Sequence, residues 1–177
     1  MIVAEDMLTE IFDQLPLVVG LSGNSFKDNF NWGTEDALNL WLSQKKQTTK
    51  YPLIWLLESE TTVDSLASKK AERDIRLIIA KESNHKTNTN PIIWQTEFKQ
   101  ILVPLAKNIL TALEKSGVTN ITNGYTFEQK ANYYEVSRQK EDKNETKNFT
   151  IDCWNIILFK AKIVFLGDRC INPNIKF

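Results

Sequence analysis

Histidine is almost absent from this chain: His85 is the only one in 177 residues. It lies among Asn and Thr, so it reads as a surface-loop residue rather than a catalytic base or metal ligand. A Ser–His or Cys–His nucleophile would have to use that one residue, and no G-x-S-x-G elbow is present. Cysteine is nearly as scarce. Cys153 and Cys170 are too few for a disulfide framework, and with a single histidine they make no zinc site, so both are expected to be reduced thiols.

Long apolar runs are missing as well; none approaches the roughly 18–20 residues needed to cross a bilayer. The opening segment carries Glu5, Asp6, Glu10 and Asp13 where a signal peptide would be basic, so no secretory leader and no membrane partner are expected. Net charge is also lacking, with 22 Lys and Arg against 22 Asp and Glu. That balance gives no global reason to hold a polyanion, although local patches remain open. Basic residues gather at Lys45, Lys46 and Lys50 and again at Lys69, Lys70 and Arg73. No aromatic residues interleave them, so a solvated loop is the ordinary reading and a phosphate-facing patch the sharper one. Gly20-Leu-Ser-Gly23 lacks the Lys-Ser/Thr ending of a phosphate loop and reads as a turn. Glu58 and Glu60 end an apolar run, which is what strand-terminating carboxylates do. No cofactor or metal is expected, and the shortage of catalytic groups leans towards a structural protein.

What is present is a core. The chain is 42% hydrophobic and 25% charged, within the globular range, and its length suits one domain over residues 1–177. Val3, Met7, Leu8, Ile11, Phe12 and Leu15 form one helical stripe that Pro16 stops. Residues 16–50 mix turn formers with aromatics, and a short helix starting at Thr34 as its cap is one reading of part of them.

Pro52 to Leu57 is apolar on both alternating faces and predicts a central strand covered on both sides. The polar segment 60–72 suits a hairpin arm, and 73–81 a second strand with Ile75, Leu77 and Ile79 on one face. Asn90-Pro91 then opens a helix over 91–115, with Trp94, Phe98, Ile101, Leu105, Ile109 and Leu113 in one stripe. Pro104 is expected to kink it and Gly117 to end it.

A turn at Asn123-Gly124 leads to strands at 125–136 and 149–165, a large terminal hairpin arm over about 125–165. The second strand alternates cleanly except at Asn155. Unbroken, 17 residues from 149 to 165 would reach roughly 55 Å, against a diameter of roughly 40 Å for a compact domain of this size. Either a bulge interrupts the strand or its tip projects, and the charged connection SRQKEDKNETK favours projection towards a partner. Trp41, Trp55, Trp94 and Trp154 read as core or subunit contacts. The fold class expected is α+β: a mixed or antiparallel sheet packed by an N-terminal helix and one long kinked helix, with an extended C-terminal hairpin.

The order of these elements resembles the phage tail terminator and neck proteins related in fold to the minor tail protein U. The matching segments are Tyr51-Pro-Leu-Ile-Trp-Leu56, Asp74-Ile-Arg-Leu-Ile-Ile79, and the helix with Phe98, Ile101, Leu102, Pro104, Leu105 and Leu113. The resemblance implies a hexameric ring that caps the tail tube, halts its polymerisation and offers a docking surface to the head. It further implies the tube protein and the head–tail connector as partners, DNA passing through the lumen without specific binding, and a place in the virion after assembly in the host cytoplasm. Under it, the Pro52–Leu57 strand would be covered by the long helix on one face and by the N-terminal segment or a neighbour on the other. The residues expected at subunit or partner contacts are Lys69, Lys70, Arg73, Arg138, Lys140, Glu141, Lys143 and Trp154. Three rivals stay open: another connector or baseplate component, a small nucleic-acid-binding module, and an enzyme built from dispersed carboxylates.

Overall fold

The computed structural model describes residues 3–44, 50–59, 61–65, 69–83, 90–133 and 154–177. Arg138, Lys140, Glu141 and Lys143, the hairpin tip at 137–148, His85 and Cys153 lie outside the described residues. The chain is α+β, as its periodicities predict. Helix α1 (Ala4–Phe12) leads to a short ribbon of β1 (Val18–Val19) and β2 (Ser25–Phe26). Next come β3 (Asn29–Gly33), helix α2 (Glu35–Gln44), β4 (Leu53–Leu57), β5 (Thr61–Ser65) and β6 (Lys70–Glu82). A joined helix follows: α3 (Asn90–Ile93), a π-helical stretch (Trp94–Leu102) and α4 (Val103–Lys115). Two long strands close the chain, β7 (Thr119–Tyr133) and β8 (Trp154–Leu166).

The main sheet has the order β3-β4-β6-β8-β7, with β5 also paired to β6. Only β3 and β4 run parallel; the other pairs are antiparallel. β4 therefore has strand neighbours on both sides, as its two apolar faces require. One face of the sheet carries Ile54, Leu56, Ile75, Leu77, Ile79, Phe159, Ile163 and Phe165 into a core with Leu8, Ile11, Phe12, Phe98, Leu105 and Ile109. Helix α1 and the long helix thus share one face, whereas the other was expected to be covered by the N-terminal segment or a neighbouring subunit. That second face of β4 is covered instead by α2. Leu38 and Leu42 pack there against Leu53, Trp55, Ile78, Ala80, Trp154 and Ile156 in a separate core. Leu38 and Leu42, four residues apart on one helix face, supply the apolar stripe this needs.

Two irregularities expected from single residues are accommodated. Pro104 leaves the helix continuous. The register immediately before it widens to i→i+5, Val103 N–H reaching the Phe98 carbonyl, and the helix runs on to Lys115. Asn123-Gly124 does not start a new strand; it is a bulge inside β7. Pairing passes from Thr122↔Lys162 to Tyr125↔Ala161, so the two intervening residues oppose nothing, and both have positive φ (63° and 80°).

Beyond the footprint of α2, the second sheet face is charged. Asp74 and Arg76 lie opposite Lys162 and Lys160, Glu72 pairs with Lys162, and Glu128 holds Lys160 at 2.5 Å. No helix among the described residues is long and apolar enough to cross a membrane.

Candidate functional site

β4 and β5 lie end to end along the same edge of β6. Pairing stops at Leu56↔Leu77 and resumes at Thr61↔Arg73, five residues against four, so one extra residue is looped out around Glu58 and Ser59. The apolar run ends there because Glu58 is solvated. Into this gap reaches Arg73, whose side chain is only 2% exposed. Its Nε donates to Ser59 Oγ at 2.9 Å and its Nη1 to Glu5 Oε1 from the first turn of α1. Ser59 Oγ in turn donates to the Asp74 carbonyl at 2.7 Å. A buried guanidinium costs several kcal/mol unless it is paired and hydrogen-bonded, and Glu5 with Ser59 meets that demand.

The end of β3 completes the wall. Gly33 adopts φ 141°, and its carbonyl accepts both the Trp55 indole N–H at 3.2 Å and the Glu58 amide at 3.1 Å. Thr34 then caps α2, its Oγ1 accepting from the Ala37 amide at 3.1 Å. Between these groups lies a cleft of about 310 Å³ lined by Glu5, Trp32, Gly33, Thr34, Ala37, Glu58 and Arg73. Trp32 is half exposed at its edge, and Glu58 is exposed at its mouth. Burial raises the Glu5 carboxyl, but the Arg73 hydrogen bond and charge and a backbone hydrogen bond outweigh it, so Glu5 sits below the usual carboxylate range. At neutral pH this cleft holds two carboxylates and one guanidinium.

A second polar constellation, buried at Ser83, Glu97 and Asn155 and reaching the surface at Asn90, lies where β6, β7, β8 and the long helix meet. Asn155 is wholly buried; its Nδ2 donates to Glu97 Oε2 at 2.5 Å, and its Oδ1 accepts from the Asn132 amide at 2.9 Å. Ser83 Oγ donates to Asn132 Oδ1 at 2.7 Å, and Asn132 Nδ2 to Asn90 Oδ1 at 3.1 Å. Burial pushes the Glu97 carboxyl up, against the opposing pull of Asn155 and Lys81. Every side chain in this chain of contacts has a partner, which marks a structural network rather than an open reaction site. A second buried acid, Asp28, is likewise raised by burial, and its Oδ1 meets no donor among the described residues.

Of the residues expected at contacts, Lys69 and Lys70 are exposed at the β5–β6 turn. Arg73 lies three residues on from Lys70 but points into the protein, held by Glu5. Trp154 is 2% exposed and donates from Nε1 to the Tyr51 hydroxyl at 2.7 Å, which leaves it no surface for a partner. Glu5, Trp32 and Gly33 escaped the sequence reading as site residues because nothing local links them to position 73. Glu97 was also missed, although a lone acid beside Phe98 in an apolar stripe is a usable signal. Asn155 did announce itself by breaking the alternation of its strand.

Among the described residues, no group of three or more His, Cys, Asp or Glu side chains is arranged to hold a metal ion. No family model matches the chain, and no curated protein matches it.

Proposed function

We propose that this protein is a structural assembly component of a phage virion, a tail terminator or neck ring. In this reading six copies close into a ring on the end of the tail tube, stop its growth and present a surface to the head–tail connector. The observation that supports it best is the second face of the sheet. At one end it is apolar and buried under α2; at the other it is a charge-balanced array of Glu72, Asp74, Arg76, Glu128, Lys160 and Lys162. Such a face, bounded by the edge strand β7, suits a contact surface or a lumen wall better than a reaction site. Two of these pairs, Glu72–Lys162 and Glu128–Lys160, are already closed within the sheet, and charges so paired hold DNA weakly, which fits passage rather than capture. Among the described residues the main run of strands also ends in two unlike edges, β3 and β7. Unlike edges favour the head-to-tail contacts from which closed rings are made.

Native mass measurement followed by negative-stain imaging tests this reading. A species of hexamer mass with a central hole supports it. A chain that stays monomeric both alone and when mixed with tail-tube ends overturns it. The nearest rival, another connector or baseplate component, would show a ring that fails to bind tube ends.

A further inference from the structure

We infer that the cleft between β3, α2 and the β4–β5 gap is a socket for a lysine or arginine side chain presented by a partner polypeptide. Its volume of about 310 Å³ is at the small end of ligand sites and suits one side chain.

Charge decides the sign of the occupant. Arg73 and Glu5 neutralise each other on the floor. The start of α2 contributes about half a positive charge. Against that stands Glu58, exposed in the lining, and outside the lining Glu35 and Asp36, exposed in the first turn of α2 next to the lining residue Thr34. The balance is negative, so a cation is favoured over an incoming carboxylate or phosphate.

Trp32 decides the kind of cation. It lines the cleft and is 50% exposed although it sits on a strand of the main sheet. An indole beside carboxylates is a favourable seat for a guanidinium or ammonium with an apolar stem, since the ring face attracts the charge and the edge covers the methylenes. Gly33 keeps the socket open: a Cβ there would stand 3.1 Å from the Ala37 Cβ. The inference does not rest on the ring reading, because a short peptide can fill the socket of a monomer.

The test is titration of the full chain with a capped Gly-Gly-Arg-Gly-Gly peptide, read by calorimetry and by the indole fluorescence lost in Trp32→Phe. Peptides with citrulline or glutamate at the central position serve as neutral and anionic controls. Saturable binding by the arginine peptide alone is expected. Glu58→Gln and Trp32→Ala should each weaken it by about threefold, and the double variant by about tenfold. Glu58 is exposed, so its substitution cannot act through unfolding. Equal binding of the citrulline peptide, tighter binding of the glutamate peptide, an undiminished double variant, or no binding of any peptide would each overturn the inference.

Discussion

Asn155 and Glu97 meet inside the protein, the amide of one strand donating to the carboxylate of a helix 58 residues away in sequence, at 2.5 Å. The contact ties β8 to the π-helical stretch, and through the Asn132 amide it reaches β7 as well. It is the one place on the first-core side of β8 where the alternation of apolar residues is broken, and the break has a partner on the opposing element.

Asn155→Leu should therefore cost more than its size suggests. It strips Glu97 of its donor and the Asn132 amide of its acceptor, a loss of about 2–4 kcal/mol in urea unfolding. The double variant Asn155→Leu with Glu97→Met should recover part of that loss, because removing both polar partners is milder than orphaning one. A strictly additive double variant would mean that the two residues do not act together.

Glu97 and Asp28 both have carboxyls raised by burial in the folded state. The folded protein then holds protons that the unfolded chain has already released. Their contribution to stability is complete below the ordinary carboxylate range and falls as pH rises from there through the raised folded values. Glu97→Gln and Asp28→Asn should flatten that decline, so each variant gains more in thermal midpoint at pH 8 than at pH 4. Equal gains at both pH values would contradict the assignment.

Glu5 carries the opposite sign. Its folded value is lowered, so the stability it brings through Arg73 is present above the ordinary carboxylate range and is lost as pH falls through the lowered value. Glu5→Gln leaves the Arg73 guanidinium buried beside a neutral amide and should cost about 3 kcal/mol at pH 7. Breaking the Glu72–Lys162 pair on the open sheet face should cost far less, since both side chains are more than a third exposed and solvent screens them. Chemical denaturation of the two variants at pH 7 compares them directly.

Gly33 and Gly117 differ in what surrounds them. Gly117 has φ 78° and its added Cβ would meet nothing nearer than the Cys170 carbonyl at 3.8 Å, so Gly117→Ala should cost only the conformational strain, about 1 kcal/mol. Gly33→Ala adds contacts at 3.1 Å to Ala37 and 3.5 Å to Trp55 on top of an unfavourable φ. It should be the worse of the two by about 1–2 kcal/mol in thermal or urea unfolding.

The elements were legible wherever one residue pattern met one environment. The stripes Leu8, Ile11, Phe12 and Phe98, Ile101, Leu105 become helix faces because they recur at the helical period. The two-faced run Leu53 to Leu56 becomes an inner strand because apolar residues on both faces can only be covered from both sides. Thr34 and Gly117 marked helix ends because capping is settled within one turn of the chain. What failed was local as well: Pro104 says only that the helix is disturbed there, not how, and Asn123-Gly124 looks like a turn between strands when taken alone. Each has a cheap alternative, a widened helical register and a two-residue bulge, and packing on both sides of the irregularity selects it.

By itself, then, the sequence determined the α+β class, most element positions and the scarcity of histidine and cysteine, since composition and period act at short range. Tertiary structure alone decided that α1 and the long helix share a face and that α2 covers the other. It alone turned Arg73 inward onto Glu5, and it alone brought Glu5, Trp32, Gly33 and Glu58 around one cleft. Those choices follow from how strands far apart in the sequence pair across the sheet, as β6 and β8 do from Glu82↔Trp154 to Lys70↔Leu166, and no local pattern records which side of the sheet a distant helix will find open.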